Sequence, residues 1–216
     1  MPGPDARALP WKTLAAIAVL ALAAAAVTVI AQRGTRARVA ENERQAALSV
    51  LHSVLPADVH DNDLLADFIE ATDEELLGST RPHRIYRARM GGTPAGVVME
   101  VTARGGYGGP LELLVGILAD GRVSAVRITA HRETPGIGDG VERKDWISQF
   151  DGRSLVDPPP EDWLVKRDGG RFDELTGATI TPRAVVKGVY NALLYYKQHA
   201  DTIYAAPSIA APPAAQ

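Results

Sequence analysis

The sequence predicts an α+β protein: a single N-terminal transmembrane helix followed by one domain in which an antiparallel sheet is flanked by helices. Three observations carry that reading. Thr13–Gln32 is a stretch of 20 residues without a charge, rich in Ala, Leu, Ile and Val. From Arg84 onward, short apolar and β-branched runs alternate with glycine turns, and an apolar-striped helix follows Pro182. With 216 residues, 46% of them apolar, the chain can bury a real core in one ordinary domain or two small ones. It has no cysteine, which removes thiolate zinc sites, cysteine-ligated iron–sulfur clusters, disulfides and thiol nucleophiles together. Redox chemistry here needs a non-cysteine cofactor. The 23 Lys+Arg against 26 Asp+Glu lack the basic excess of a nucleic-acid-binding surface.

Residues 1–12 read as a short tail and 13–32 as the membrane span. A helix of that length covers roughly 30 Å, the thickness of the hydrocarbon core. Trp11 and Lys12 at one end and Arg33, Arg36 and Arg38 at the other suit the headgroup regions. A cleaved signal peptide, with a small-residue site at Ala23–Ala26, and a buried core helix compete, but the run exceeds a signal h-region in length. Flanking charge leaves the side open, because long domains translocate largely regardless of it. Residues 34–216 hold 20 Lys+Arg against 25 Asp+Glu, an acidic domain.

Residues 33–204 form the α+β domain. Val39–Leu55 repeats apolar residues at helical spacing and is stopped by Pro56, a juxtamembrane helix. Leu64–Leu77 reads as a second helix, with Glu70 and Asp73–Glu75 on its solvated face. Ile85–Ala88, Gly96–Thr102, Leu111–Leu118 and Val123–Thr129 are four strands of an antiparallel sheet, and Asp120-Gly121 is a hairpin turn. Then come a loop at His131–Gly140, a short helix near Arg143–Phe150, a strand at Trp163–Lys166 and a turn at Gly169-Gly170. Thr181 reads as N-cap and Pro182 as the first position of a helix striped by Val185, Val186, Val189, Leu193 and Tyr196. Residues 205–216, Ala/Pro-rich and uncharged, read as a disordered tail.

Three segments could carry chemistry. Asp173-Glu174-Leu175-Thr176-Gly177-Ala178-Thr179-Ile180-Thr181-Pro182 puts hydroxyls before a helix N-terminus, where free N–H groups and the helix dipole favour a phosphate. An ordinary capped turn explains the same residues. In His131-Arg132-Glu133-Thr134-Pro135-Gly136-Ile137-Gly138, His131 and Glu133 alternate at a strand end, where both can face one pocket; a metal half-site, an acid/base pair and a surface hydrogen bond all fit, and no second histidine is close in sequence. Gly105-Gly106-Tyr107-Gly108-Gly109-Pro110 lacks the lysine and hydroxyl of a P-loop, so it reads as a flexible hairpin whose Tyr107 can lie on a planar ring. A hydrolase built on a threonine with His131 and Glu133 lacks an ordered triad.

In this order the three segments resemble the covalently flavinylated G subunit of the Rnf/Rsx electron-transport complex, a relative of the C subunit of the sodium-pumping NADH:quinone reductase. The flavinylation motif Asp-x-x-(Ser/Thr)-Gly-Ala-(Ser/Thr) is matched by Asp173, Thr176, Gly177, Ala178 and Thr179. The resemblance implies an FMN-binding domain with FMN attached covalently to Thr179 by a phosphoester, its phosphate at the N-terminus of the helix that opens at Thr181. It implies a flavin transferase, using FAD and a metal ion, that recognises Asp173. His131, Glu133, Thr134 and Gly136, with Tyr107 and Gly108, are the expected surroundings of the ring. It further implies an electron relay among the other subunits of a membrane-bound ion-translocating complex, with the domain on the periplasmic side of a bacterial inner membrane. The alternative is an anchored extracytoplasmic binding or assembly module without a redox role.

Overall fold

The computed structural model describes residues 10–209, apart from the side chains of 29–37. The expected tails therefore lie outside the described residues at 1–9 and 210–216. The chain divides into two units, before and after Ala46. From Trp11 onward the first belongs to the helix α1 (Trp11–His52). Its window Trp11–Thr28 has a mean hydropathy of 1.8 and none of it is buried, so the helix is long and apolar enough to cross a membrane.

The second unit opens with the end of α1 and is built on a sheet of five strands in the order β1-β2-β3-β4-β5, all antiparallel. They are β1 (Phe68–Asp73), β2 (Ser79–Met90), β3 (Thr93–Gly106), β4 (Gly109–Leu118) and β5 (Val123–Ala130). Period-two alternation sends side chains to two cores. Ile85, Val97, Met99, Val101, Leu113 and Val115 face α3 (Ile180–Ala205), whereas Tyr86, Val98 and Leu114 face Leu51, Val54 and Leu55. The five predicted stripe residues of α3 are all buried. α3 lies closest to β3, where Gly188 faces Ala103: a Cβ there would stand 3.0 Å from that of Ala103.

Three local expectations are corrected. Leu64–Leu77 is not a helix, because Phe68 and Ile69 pair with Tyr86 and Ile85 as edge strand β1, which makes the sheet five-stranded rather than four. The acidic run that suggested a helical face is instead a turn, in which the Asp73 carboxylate accepts from the N–H groups of Glu75 and Leu76 at 2.9 and 2.8 Å. Trp163–Lys166 forms only a single bridge, Val165 to Phe172, between 3-10 turns. Nor is the C-terminal segment loose where it is described. The Ala206 carbonyl accepts from Arg87, and the Ile209 N–H donates to the Phe68 carbonyl at 2.9 Å along the free edge of β1.

Candidate functional site

The fold gathers the three segments around Glu133. This side chain is buried, and its two oxygens reach both other segments: Oε1 accepts from the Gly108 N–H at 3.0 Å and Oε2 from the Thr181 hydroxyl at 2.7 Å. The approach at the hairpin is too close for a side chain, since a Cβ on Gly108 would run into the Arg132 carbonyl. His131 meets the backbone of Glu133. Its Nδ1 accepts from the Glu133 backbone N–H at 3.0 Å, which leaves the ring proton on Nε2, 3.0 Å from Glu142. It is a loop staple, and the described residues contain no group of three or more carboxylates and histidines that could hold a metal ion.

The segment before α3 is held as firmly. Asp173 is fixed through its backbone, with its N–H donating to Gln149 Oε1 at 2.6 Å and its carbonyl accepting from Trp146 Nε1 at 2.8 Å. Its carboxylate stays exposed, paired with Lys166. Leu175–Ala178 then closes a tight turn with an N–H to carbonyl bond of 3.0 Å. Gly177 has φ +83°, the left-handed value demanded at the third position of a type II turn, while Thr176 is exposed beside it.

The turn delivers Thr179 to the N-cap of α3. The helix starts at Ile180, two residues before the expected first position at Pro182, because the Thr181 hydroxyl is committed to Glu133 and not to a cap. The Thr179 hydroxyl makes no capping bond, which is unusual for a threonine in that position. Its described contact is Arg167 Nη1 at 3.4 Å. The N–H groups of Ile180 and Thr181 have no acceptor within the helix. A second arginine, Arg183, sits one turn along and grips Asp168 with two bonds of 2.5 and 2.6 Å. That pairing holds the Asp168 carboxyl below its usual range and raises Arg183. Lys166 and Arg183 are thus neutralised by carboxylates, whereas Arg167 has no ion-pair partner among the described residues.

Apolar surface borders the same place. Tyr107, Ile137 and Ile180 are 74%, 50% and 47% exposed, and each adjoins a residue packed on Glu133: Gly108, Gly138 and Thr181. Thr134 and Gly136 shape the turn between them, the Thr134 carbonyl accepting from the N–H groups of Ile137 and Gly138 and the Gly136 N–H donating to Asp139 at 2.8 Å. A cavity of about 380 Å³ on the flank of α3, lined by Trp163, Leu164, Val186 and Tyr190, shares Asp168 and Arg183 with this frame. Sequence reasoning missed Arg167, Arg183 and Trp146. No spacing marks them, since they lie before and after the motif and reach it only through the fold.

The FMN-binding domain family matches residues 106–194, a range that contains all three segments except Gly105. The G subunit of the ion-translocating oxidoreductase complex of Pseudomonas aeruginosa is 40% identical over 191 residues, covering 88% of this chain and 89% of its own. That of Aliivibrio fischeri is 37% identical over 198 residues, with 91% and 94% covered. Among solved structures, the crystal structure of Shewanella oneidensis NqrC aligns with a TM-score of 0.47 at 22% identity, over 68% of this chain and 76% of that one. On sequence identity over nearly its whole length, the chain belongs to the family of ion-translocating oxidoreductase complex G subunits.

Proposed function

We propose that this chain is a membrane-anchored FMN electron carrier of an ion-translocating oxidoreductase complex, with FMN esterified through its phosphate to Thr179 Oγ1. The observation that carries the linkage is the Thr179 hydroxyl: it stands at a helix N-cap without a capping bond, beside two N–H groups that have no acceptor within the helix, and its described contact is the Arg167 guanidinium, which has no ion pair among the described residues. A phosphodiester fits that arrangement, its charge met by Arg167 and the first turn of α3. Bound FMN supplies one- and two-electron chemistry. The chain's own residues position it: Gly177 turns Thr179 outward, Glu133 locks the hairpin and the loop to α3, and Tyr107, Ile137 and Ile180 offer apolar surface to a planar ring.

Attachment needs an outside enzyme. A threonine hydroxyl is a poor nucleophile without a base, and the group beside Thr179 is a guanidinium, which takes up no proton. In the step we assign to a flavin transferase, Thr179 Oγ1 bonds to the FMN phosphorus of FAD. The pyrophosphate bond breaks, AMP leaves, and the hydroxyl proton passes to a base of the transferase. Asp173, exposed on a backbone anchored at both N–H and carbonyl, is the handle for recognition. The span Trp11–Thr28 tethers the carrier to the membrane beside the other subunits, with the domain on the periplasmic side.

The test is to co-express the chain with its flavin transferase, denature it and view the gel under ultraviolet light. A fluorescent band is expected for the native sequence and for Thr176→Val, and none for Thr179→Val. A native chain without fluorescence, when a control substrate is labelled, overturns the carrier reading; loss with Thr176→Val alone moves the attachment site.

A further inference from the structure

Glu133 is the buried carboxylate at the centre of the site, and its surroundings are of one kind. Both of its described partners are donors, the Gly108 N–H and the Thr181 hydroxyl, so its oxygens act only as acceptors. Neither partner is a cation, and Glu133 has no ion pair among the described residues, although the chain carries 23 Lys and Arg. Backbone packs tightly on it: a Cβ on Gly106 or Gly138 would stand 2.7 or 2.5 Å from its oxygens. The result is a negative charge shielded from water, fixed two residues in sequence from the Thr179 position through the 2.7 Å bond to Thr181. A structural link alone does not need that charge, since a neutral acceptor serves a hydroxyl or an N–H.

We propose that Glu133 is a positioning residue whose second role is electrostatic: its unpaired buried charge lowers the reduction potential of the flavin on Thr179. The inference rests on the carrier reading. Reduction adds negative charge to the ring, and a fixed carboxylate on the same loop cluster opposes it across a medium less polarisable than water. Arg167 contacts Thr179 Oγ1, the proposed attachment atom, whereas Glu133 bonds to Thr181 and the Gly108 hairpin, so the two charges are held by different groups of the site.

The experiment uses the full chain loaded by its transferase, with the midpoint potential read by spectroelectrochemical titration. Glu133→Gln keeps size and one acceptor but removes the charge, and its midpoint is expected to rise above the native value. Glu133→Asp, which keeps the charge, is expected to stay nearer the native value than Glu133→Gln does. Equal midpoints for native and Glu133→Gln protein reduce Glu133 to a structural link and overturn the proposal. If Glu133→Gln fails to accumulate folded, Thr181→Val reads the same charge from its partner's side. Titrated well above the ordinary carboxylate range, where the charge is retained, that variant has one donor fewer to compensate it and its midpoint is expected to fall; an unchanged midpoint overturns the proposal equally. A native chain that takes up no covalent flavin removes the carrier reading and this inference together, and the missing fluorescent band identifies that failure before any titration.

Discussion

Arg167 is the residue whose chemistry is least explained by the fold alone. Its neighbours Lys166 and Asp168 are engaged, by Asp173 and Arg183, while its own guanidinium reaches the Thr179 hydroxyl. A charge-assisted bond to a phosphodiester oxygen at an exposed position contributes about 1 kcal/mol, after the discount that solvent imposes on surface charges. Arg167→Gln is therefore expected to lower the flavinylated fraction at limiting transferase about fivefold. The thermal midpoint of the flavin-free protein should not move, because Arg167 makes no other described hydrogen bond or ion pair. In-gel fluorescence against total protein measures the first, and a circular dichroism melt the second; a drop in both would make Arg167 structural. The sequence could point to Thr179 through the motif that ends on it, but it could not point to Arg167. Nothing about an Arg twelve residues upstream indicates that a 3-10 turn and a left-handed Gly169 fold it back onto the cap. In the same way, order along the chain suggests that Gly108, Glu133 and Thr181 belong together, and only the fold shows that one carboxylate joins them.

Among the elements, α3 matters most, since its first residue follows Thr179 and its last turn is clamped to the sheet. Arg87 of β2 is buried and donates to the carbonyls of Ile203 and Ala206 at 2.9 and 2.5 Å, while also pairing with Asp67. Arg89 adds bonds to Asp67 and to the Tyr204 carbonyl at 2.8 and 3.1 Å. Removing one partner of a buried pair leaves polar groups unmatched, so Arg87→Met should cost about 3 kcal/mol and lower the melting temperature by roughly 10 °C. Burial pushes the Asp67 carboxyl up, but hydrogen bonds and charge from Arg89 and Arg87 outweigh it and hold the group below 3.8. As the pH falls, the unfolded chain binds that proton first. The contribution is complete above the ordinary carboxylate range and is lost as pH drops through the depressed folded value. The difference between native and Arg87→Met melts should accordingly be constant near neutrality and shrink below about pH 4. A constant difference down to pH 2 would separate Asp67 from the clamp. α3 was legible because its stripe keeps one period over several turns. β1 was not, because Phe68 and Ile69 obtain their strand partners from Tyr86 and Ile85, and no local pattern carries that information. A short acidic run resembles a helix face until its first carboxylate is seen capping a turn.

At the scale of the whole molecule, composition and anchor fix how the carrier works with its partners. A tethered domain exchanges electrons only with groups that reach its side of the membrane, so sidedness decides which partners are available. The flanking charges do not settle it: basic residues stand on both sides of the span, and the following segment is long enough to cross regardless of them. The absence of cysteine makes a clean measurement possible, because a single introduced thiol has no background. Val156, 85% exposed on a loop remote in sequence from the flavin motif, tolerates replacement at little cost to stability. With Val156→Cys, a membrane-impermeant maleimide applied to intact cells is expected to label the chain. With Asp5→Cys, which precedes the span in sequence, the periplasmic reading expects labelling only after the inner membrane is opened. The reverse pattern would put the domain in the cytoplasm and remove the periplasmic placement. Labelling of both positions in intact cells would mean that the N-terminal segment does not span. A fluorescent flavin band retained by each variant ties the result to the loaded carrier, so that topology and cofactor are read on the same molecules.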